Sequence, residues 1–530
     1  MTAQPFSPAR PPIGIAAIIA IGFFVALVSL LALSLVRPAV LAFAFGGIVI
    51  LIPTLMMRDQ RAYWLFLLAL SIPFEVSKRT TSWLVEPWDL FDKFGLPASG
   101  IYSLDVYVTD VVLLAMLLPW LARLCLRRDR FYFPKIGYLF VLYLAWALIV
   151  ALVEAESFYL SIFEWCREVL FFLAFIYLAN NVVTRAQFRA IVLALFVGVA
   201  IESVAVIAFF DLGIGTETNV YADVYRVGTN KANRISQSDL TEGRSGSAAQ
   251  VKRSAGTFIH PGHAAYYFEY TLLIVFGYLV AASRNRERIV SGALFAAGCA
   301  AMYLTFSRSG LVGLAFGIIV FTTVARWSQL ISRRAFAWCI AVFLMLAAAS
   351  SPLIIKSMVA RPESVGARVG LIEAALTAVE RRPILGAGLN FSSQSVMEGA
   401  QGPVIVVKGR RMPALVVHNH YLIVLLAVGV VGFVLFFAFF WQVIAIALRS
   451  LKASDVEMKR LLVGLVGALA AIALHNFADP FGGHAIQAML WLYTGLIIAI
   501  ARQVRAERAS VIPAAPAIAR PMRGRAADWL

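Results

Sequence analysis

Three adjacent polar side chains, His418, Asn419 and His420, stand at the threshold of an apolar run from Tyr421 to Trp441 that carries no charge. Imidazoles titrate near neutral pH and suit proton transfer. Ionisable groups at the edge of a membrane-length segment are functional candidates by default. The alternative is that they are interfacial residues that only meet water. Three arginines from separate stretches form a second set. Arg253 precedes an apolar segment that begins near His263, Arg308 lies in Ser307-Arg308-Ser309-Gly310 between two apolar spans, and Arg368 opens an amphipathic stretch. A guanidinium donates a planar fork of hydrogen bonds that matches phosphate oxygens. Converging at a bilayer surface, the three would hold a diphosphate; singly, each would snorkel to lipid phosphates.

Two further polar groups stand out. Arg167 lies between Glu164 and Glu168 inside an apolar span and reads as a structural intramembrane ion pair. His475-Asn476-Phe-Ala-Asp479-Pro480, with His484, sits at a membrane boundary. It reads as interfacial structure or as a contributor to an acceptor site. Other chemistries lack their residues. The chain has no Gly-rich phosphate loop with Lys and Ser/Thr, no His-Glu-x-x-His and no Asp-x-Asp pair. A reaction run here therefore needs a substrate that arrives activated, and neither a cofactor nor a metal is expected.

The elements that position these residues are membrane spans. The chain is 61% hydrophobic and 14% charged, against roughly 25% charged in soluble domains. About fourteen apolar stretches approach the length needed to cross a bilayer. They lie near 13–36, 38–57, 62–74, 105–122, 136–153, 161–180, 190–210, 263–283, 289–306, 310–325, 335–357, 419–441, 461–478 and 485–501. The third is short, ends at Pro73, and reads as a re-entrant or broken helix. The fold expected is an all-α polytopic membrane protein: a tail over 1–12, a membrane domain over 13–501 and a disordered basic tail over 502–530.

Net charge is +17. Arg and Lys concentrate in alternate short loops, such as Arg123 to Lys135, Arg284 to Arg288 and Arg449 to Arg460, which places both termini inside. Three longer segments, about 75–104, 211–262 and 358–418, then face outward. The last predicts an amphipathic helix from Gly366 to Val379, with Val369, Ile372, Leu376 and Val379 on one face. The four cysteines suggest neither a disulfide framework nor a metal knuckle. Gly429 and Gly432, one turn apart, make a notch for close approach of a helix or lipid chain.

Together these residues resemble the O-antigen ligase and Wzy-type polymerase superfamily. His418-Asn419, nine residues, then Gly429-Val-Val-Gly432 is similar to that family's signature. Three stretches agree in order: Arg253 through Gly262, Thr305-Phe-Ser-Arg308-Ser-Gly310, and Arg368 through Pro383-Ile-Leu-Gly386-Ala-Gly388. The resemblance covers about 250–440. It implies a membrane glycosyltransferase of about 12–14 helices, GT-C-like, with a large periplasmic loop over a lateral cavity. It implies an inverting, metal-independent transfer of a glycan from undecaprenyl diphosphate to a sugar hydroxyl, on the periplasmic face of a bacterial inner membrane. On this resemblance His418 is the base, with His420 the alternative. Arg253, Arg308 and Arg368 bind the diphosphate. Asn419, His420, Gly429 and Gly432 contact substrate. The acceptor is either a second lipid-linked repeat, as for a polymerase, or lipid A core, as for a ligase. The two long loops favour the polymerase. The competing reading is a transporter of the same lipid-linked glycan.

Overall fold

The computed structural model describes residues 59–75, 77–79, 105–155, 158–212, 253–258, 260–341, 362–392, 396, 404–407, 410–413, 417–452 and 454–511. The first two expected spans, most of the expected span 335–357, and residues 213–252 of the 211–262 loop lie outside them. Backbone polar groups in hydrocarbon must be satisfied internally, so apolar runs of this length become helices. In chain order these are α1 (Gln60–Ser71), α2 (Val108–Cys125), α3 (Gly137–Val153), α4 (Phe158–Asn181), α5 (Arg185–Leu212), α6 (Pro261–Val280), α7 (Asn285–Leu304), α8 (Arg308–Trp327), α9 (Pro362–Arg381), α10 (His420–Leu451), α11 (Val456–His475) and α12 (His484–Val511). By length and composition, α2, α5, α7, α8, α10 and α12 can each cross a membrane. The protein is an all-helical polytopic membrane protein. Two short antiparallel ladders accompany the helices: β1 (Ser77–Arg79) with β2 (Asp105–Tyr107), and β3 (Val404–Val407) with β4 (Arg410–Pro413).

Small residues decide how closely the helices pack. On α8, a methyl group added at Gly313 would lie 3.1 Å from the Ala471 carbonyl of α11, and one at Gly317 would lie 3.0 Å from the Gly467 carbonyl. The same face of α8 meets α6: a methyl at Gly310 would come within 2.9 Å of Ala265 Cβ. Helices α6, α8 and α11 thus approach backbone to backbone and bring their ends together. Elsewhere the core is aromatic. Trp491 of α12 packs against Phe140 of α3 at 4.6 Å and Phe439 of α10 at 5.5 Å.

Helix α10 is broken at Gly429, which adopts φ +62°. The break is filled by the segment after α9. Ala387 and Gly388 donate to the Leu426 and Ala427 carbonyls at 2.8 and 2.9 Å, and Val430 donates to the Pro383 carbonyl at 2.9 Å. Trp146 donates to the Val428 carbonyl at 2.9 Å. Three carbonyls and one N–H freed by the break thus find partners, as the low dielectric demands.

Two expectations need correction. The buried face of α9 carries Leu371, Ala375 and Ala378, while Val369 and Leu376 are exposed. Ala375 and Ala378 pack with Leu426 and Val417, at the start of α10. Alanines win that face because they let the backbones approach closely, which bulky side chains prevent. The basic tail expected to be disordered from 502 is instead helical through Val511. Arg502 donates to the Ala179 carbonyl at 3.1 Å and lies over the Tyr132 ring, and Glu507 pairs with Arg185 at 3.0 Å. Those contacts hold the helix to the α4–α5 turn.

Candidate active site

Four helix ends meet at one end of the bundle. Asn419 is the N-cap of α10, its side-chain oxygen accepting from Leu422 N–H at 3.1 Å. Ser307 caps α8 by accepting from Gly310 N–H at 3.2 Å. These two caps fix the residues beside them, His418 and Arg308. Helix α11 ends at His475 and is followed by Asp479. Helix α6 contributes Glu269 from its third turn.

Asp479 joins them. Its Oδ1 lies 3.4 Å from His418 Nδ1. Its Oδ2 accepts from His475 Nε2 at 3.0 Å and from the Ser309 hydroxyl. On the far side of the ring, His475 Nδ1 lies 2.6 Å from Glu269 Oε1, with both side chains fully buried. Tyr266 stacks flat on His475, ring centroids 3.8 Å apart, and donates its hydroxyl to Asn476 Oδ1 at 3.0 Å. Burial by itself would raise the Asp479 carboxyl. The close His418 ring, the His475 hydrogen bond and charge and the Ser309 hydroxyl outweigh it and hold Asp479 well below the usual carboxylate range.

The two neighbouring histidines sit differently. The His418 side chain is 40% exposed. With Nδ1 turned to Asp479, Nε2 is the atom available to a substrate. The His420 ring is packed at 5.2 Å from Phe481, and its backbone N–H donates to the Asn476 carbonyl at 2.8 Å. It is held away from the carboxylate.

Two of the three arginines come together. Arg253 donates from Nε to the Thr305 carbonyl at 2.9 Å, and Ser254 N–H donates to the Leu304 carbonyl at 3.1 Å. That ties Arg253 to the turn between α7 and α8, three residues from Arg308. Arg368 lies on α9, and its side chain is outside the described residues. Gly429 and Gly432 form no open notch: a methyl on Gly429 would fall 2.0 Å from the Ile384 carbonyl, and one on Gly432 would lie 3.0 Å from Trp146. The close approach that this spacing predicts is made by the chain's own 383–388 segment.

All six histidines of the chain lie at or next to helix ends on this side. His263 faces Glu75 at 3.1 Å, and His484 faces Asp110 at 3.2 Å beneath a stacked Tyr107. Arg167 is paired with Glu164, as the sequence predicts. Glu269 was missed by the sequence reading. It is the sole charged residue between His263 and Val280, and that isolation was its signal.

Residues 292–437 match a family model described as O-antigen ligase. Over those residues the chain is similar to the O-antigen ligase family. This ligase-family segment runs from α7 to the middle of α10 and contains Arg308, Ser309, Arg368, His418 and Gly429. It points to ligase- or polymerase-type glycosyl transfer. Glu269, His475 and Asp479 lie outside the matched segment, so the network at the site joins family and flanking parts of the chain. No curated protein matches the chain.

Proposed function

We propose that this protein transfers a glycan from a polyprenyl diphosphate, undecaprenyl diphosphate in a bacterial inner membrane, to a sugar hydroxyl, with His418 as the general base. The observation that carries the reading is the His418–Asp479 contact at 3.4 Å, made within reach of the turn that bears Arg308. A carboxylate at Nδ1 keeps the proton on that nitrogen and leaves Nε2 to accept one, the role such a pair plays in acyl transfer. As the acceptor hydroxyl attacks the anomeric carbon, its proton passes to His418 Nε2. The carbon–oxygen bond to the diphosphate breaks, and its electron pair leaves with the diphosphate. Arg253 and Arg308 stabilise the charge growing on that group, the kind of preorganised electrostatics that dominates many catalytic rate enhancements. Arg368, on α9, is a third phosphate ligand in this reading. Asn419 holds the start of α10, and an apolar groove beside α10 takes the polyprenyl chain. Attack from the face opposite the leaving group inverts the anomeric centre. The site faces the periplasm, with both termini in the cytoplasm.

The choice of His418 over His420 rests on their surroundings, since one meets a carboxylate and the other a phenyl ring. The test uses purified full-length protein in detergent with a polyprenyl-diphosphate oligosaccharide. A product ladder from that substrate alone, lost in His418→Gln and unaffected by EDTA, establishes a polymerase. Transfer only after lipid A core is added establishes a ligase. Silence in both from folded protein favours a lipid-linked glycan transporter.

A further inference from the structure

Asp479 has two oxygens, and the fold assigns them different partners. His475 and Ser309 both donate to Oδ2, which leaves Oδ1 turned to His418. Something must fix His475 in turn, and it lies on the opposite side of the ring. An ionised carboxylate only accepts hydrogen bonds. With Glu269 and Asp479 both ionised, the ring between them donates from both nitrogens and is an imidazolium. The flat-stacked Tyr266 face suits a cation. Space for Glu269 is made by two glycines of α8: methyl groups at Gly310 and Gly313 would each lie within 3.1 Å of its carboxylate oxygens.

A buried carboxylate and a buried imidazolium are costly in a membrane core and weak as stabilisers, because desolvation offsets much of their attraction. Their placement is better explained by what they orient. We propose that Glu269 and His475 are positioning residues: Glu269 holds His475 doubly protonated, His475 and Ser309 lock the rotation of Asp479, and Asp479 presents His418 with Nε2 ready to take the acceptor proton. This rests on the reading of His418 as the base. The chain is Glu269⁻, His475⁺, Asp479⁻ and neutral His418. At rest it carries one net negative charge, which is neutralised when His418 takes the proton. Other groups facing it are His260 beside α6, Tyr266 and Tyr270 on α6, and Arg308 next to Ser309.

The experiment compares Glu269→Gln, His475→Gln and the double variant in the full-length protein. It reads kcat per folded molecule and KM for the polyprenyl-diphosphate donor. The expected result is a fall in kcat of about tenfold in each single variant, the size typical of residues that orient a reacting group through another. KM should stay unchanged, and the double variant should be no worse than either single one, as for residues acting in one chain. Wild-type kcat per folded molecule in Glu269→Gln, or effects that multiply in the double variant, overturns the proposal. Should a single variant fail to fold because it strands a buried charge, the double variant strands none and is decisive alone: wild-type kcat there overturns the proposal. His418→Gln separates the two levels. If it stays active, the base assignment itself is wrong. If it is dead while Glu269→Gln is wild type, the base stands and only the positioning chain falls.

Discussion

At one end of the bundle Arg189 meets Glu457 at 2.7 Å with its side chain 66% exposed, while at the other His475 meets Glu269 at 2.6 Å with neither side chain exposed. The first end is laced with such arginine pairs: Arg185 with Asp455 and Glu507, Arg460 with Glu287, Arg123 with Asp129. The second end pairs histidines with carboxylates: His418 and His475 with Asp479, His263 with Glu75, His484 with Asp110. Arginine stays charged at any physiological pH and, at a wet surface, its pairs cost little and return little. Histidine changes charge near neutrality, and burying it beside a carboxylate is expensive. The arginine end suits anchoring a bundle to a membrane surface. The histidine end has the composition of a place where protons move.

The sharpest way to break this contrast is at its chemical centre. His418→Gln should lower kcat by about 10²- to 10⁴-fold, the range for loss of a general base. Asp479→Asn should fall in the same range, because the amide no longer holds the Nδ1 tautomer. Single-turnover transfer assays check both. A loss from Arg189→Ala as large as that from Asp479→Asn would erase the distinction between the ends.

The second largest effect is on stability near the histidine end. Gly429→Ala puts a Cβ at a positive φ and 2.0 Å from the Ile384 carbonyl. It should cost more than about 3 kcal/mol, as backbone strain and a forced shift of the 383–388 segment add. Thermal unfolding in detergent checks it. A third effect follows from the depressed Asp479 pKa. A carboxylate whose pKa is lowered by folding contributes stability that is present above its unfolded value and lost as pH falls towards the folded one. The stability gap between wild type and Asp479→Asn should therefore be full at pH 7 and close below about pH 4, near the unfolded Asp value. Chemical unfolding at several pH values reads it. The smallest effect belongs to the arginine end: Arg189→Ala or Glu457→Ala should change stability by less than about 1 kcal/mol, and less still at high salt.

The sequence by itself determined where the membrane helices lie. The described helices from α2 to α8 follow the apolar runs to within a few residues, because a bilayer admits few alternatives to a helix of that length. It also marked His418, Arg253 and Arg308, since polar groups are conspicuous in apolar surroundings, but it read Gly429 and Gly432 as a notch on an unbroken helix, where the structure breaks the helix at Gly429. Two local readings failed where tertiary contacts overruled them: the alanine face of α9 and the helical continuation through Arg502. What only the tertiary structure decided is who faces whom. Glu269 and His475 are 206 residues apart, and Ser309 and Asp479 are 170 apart. Nothing in local periodicity relates such positions. They meet because the glycines of α8 let three helices close on one another, and because a buried carboxylate in a low dielectric has to find the nearest proton donor the packing supplies.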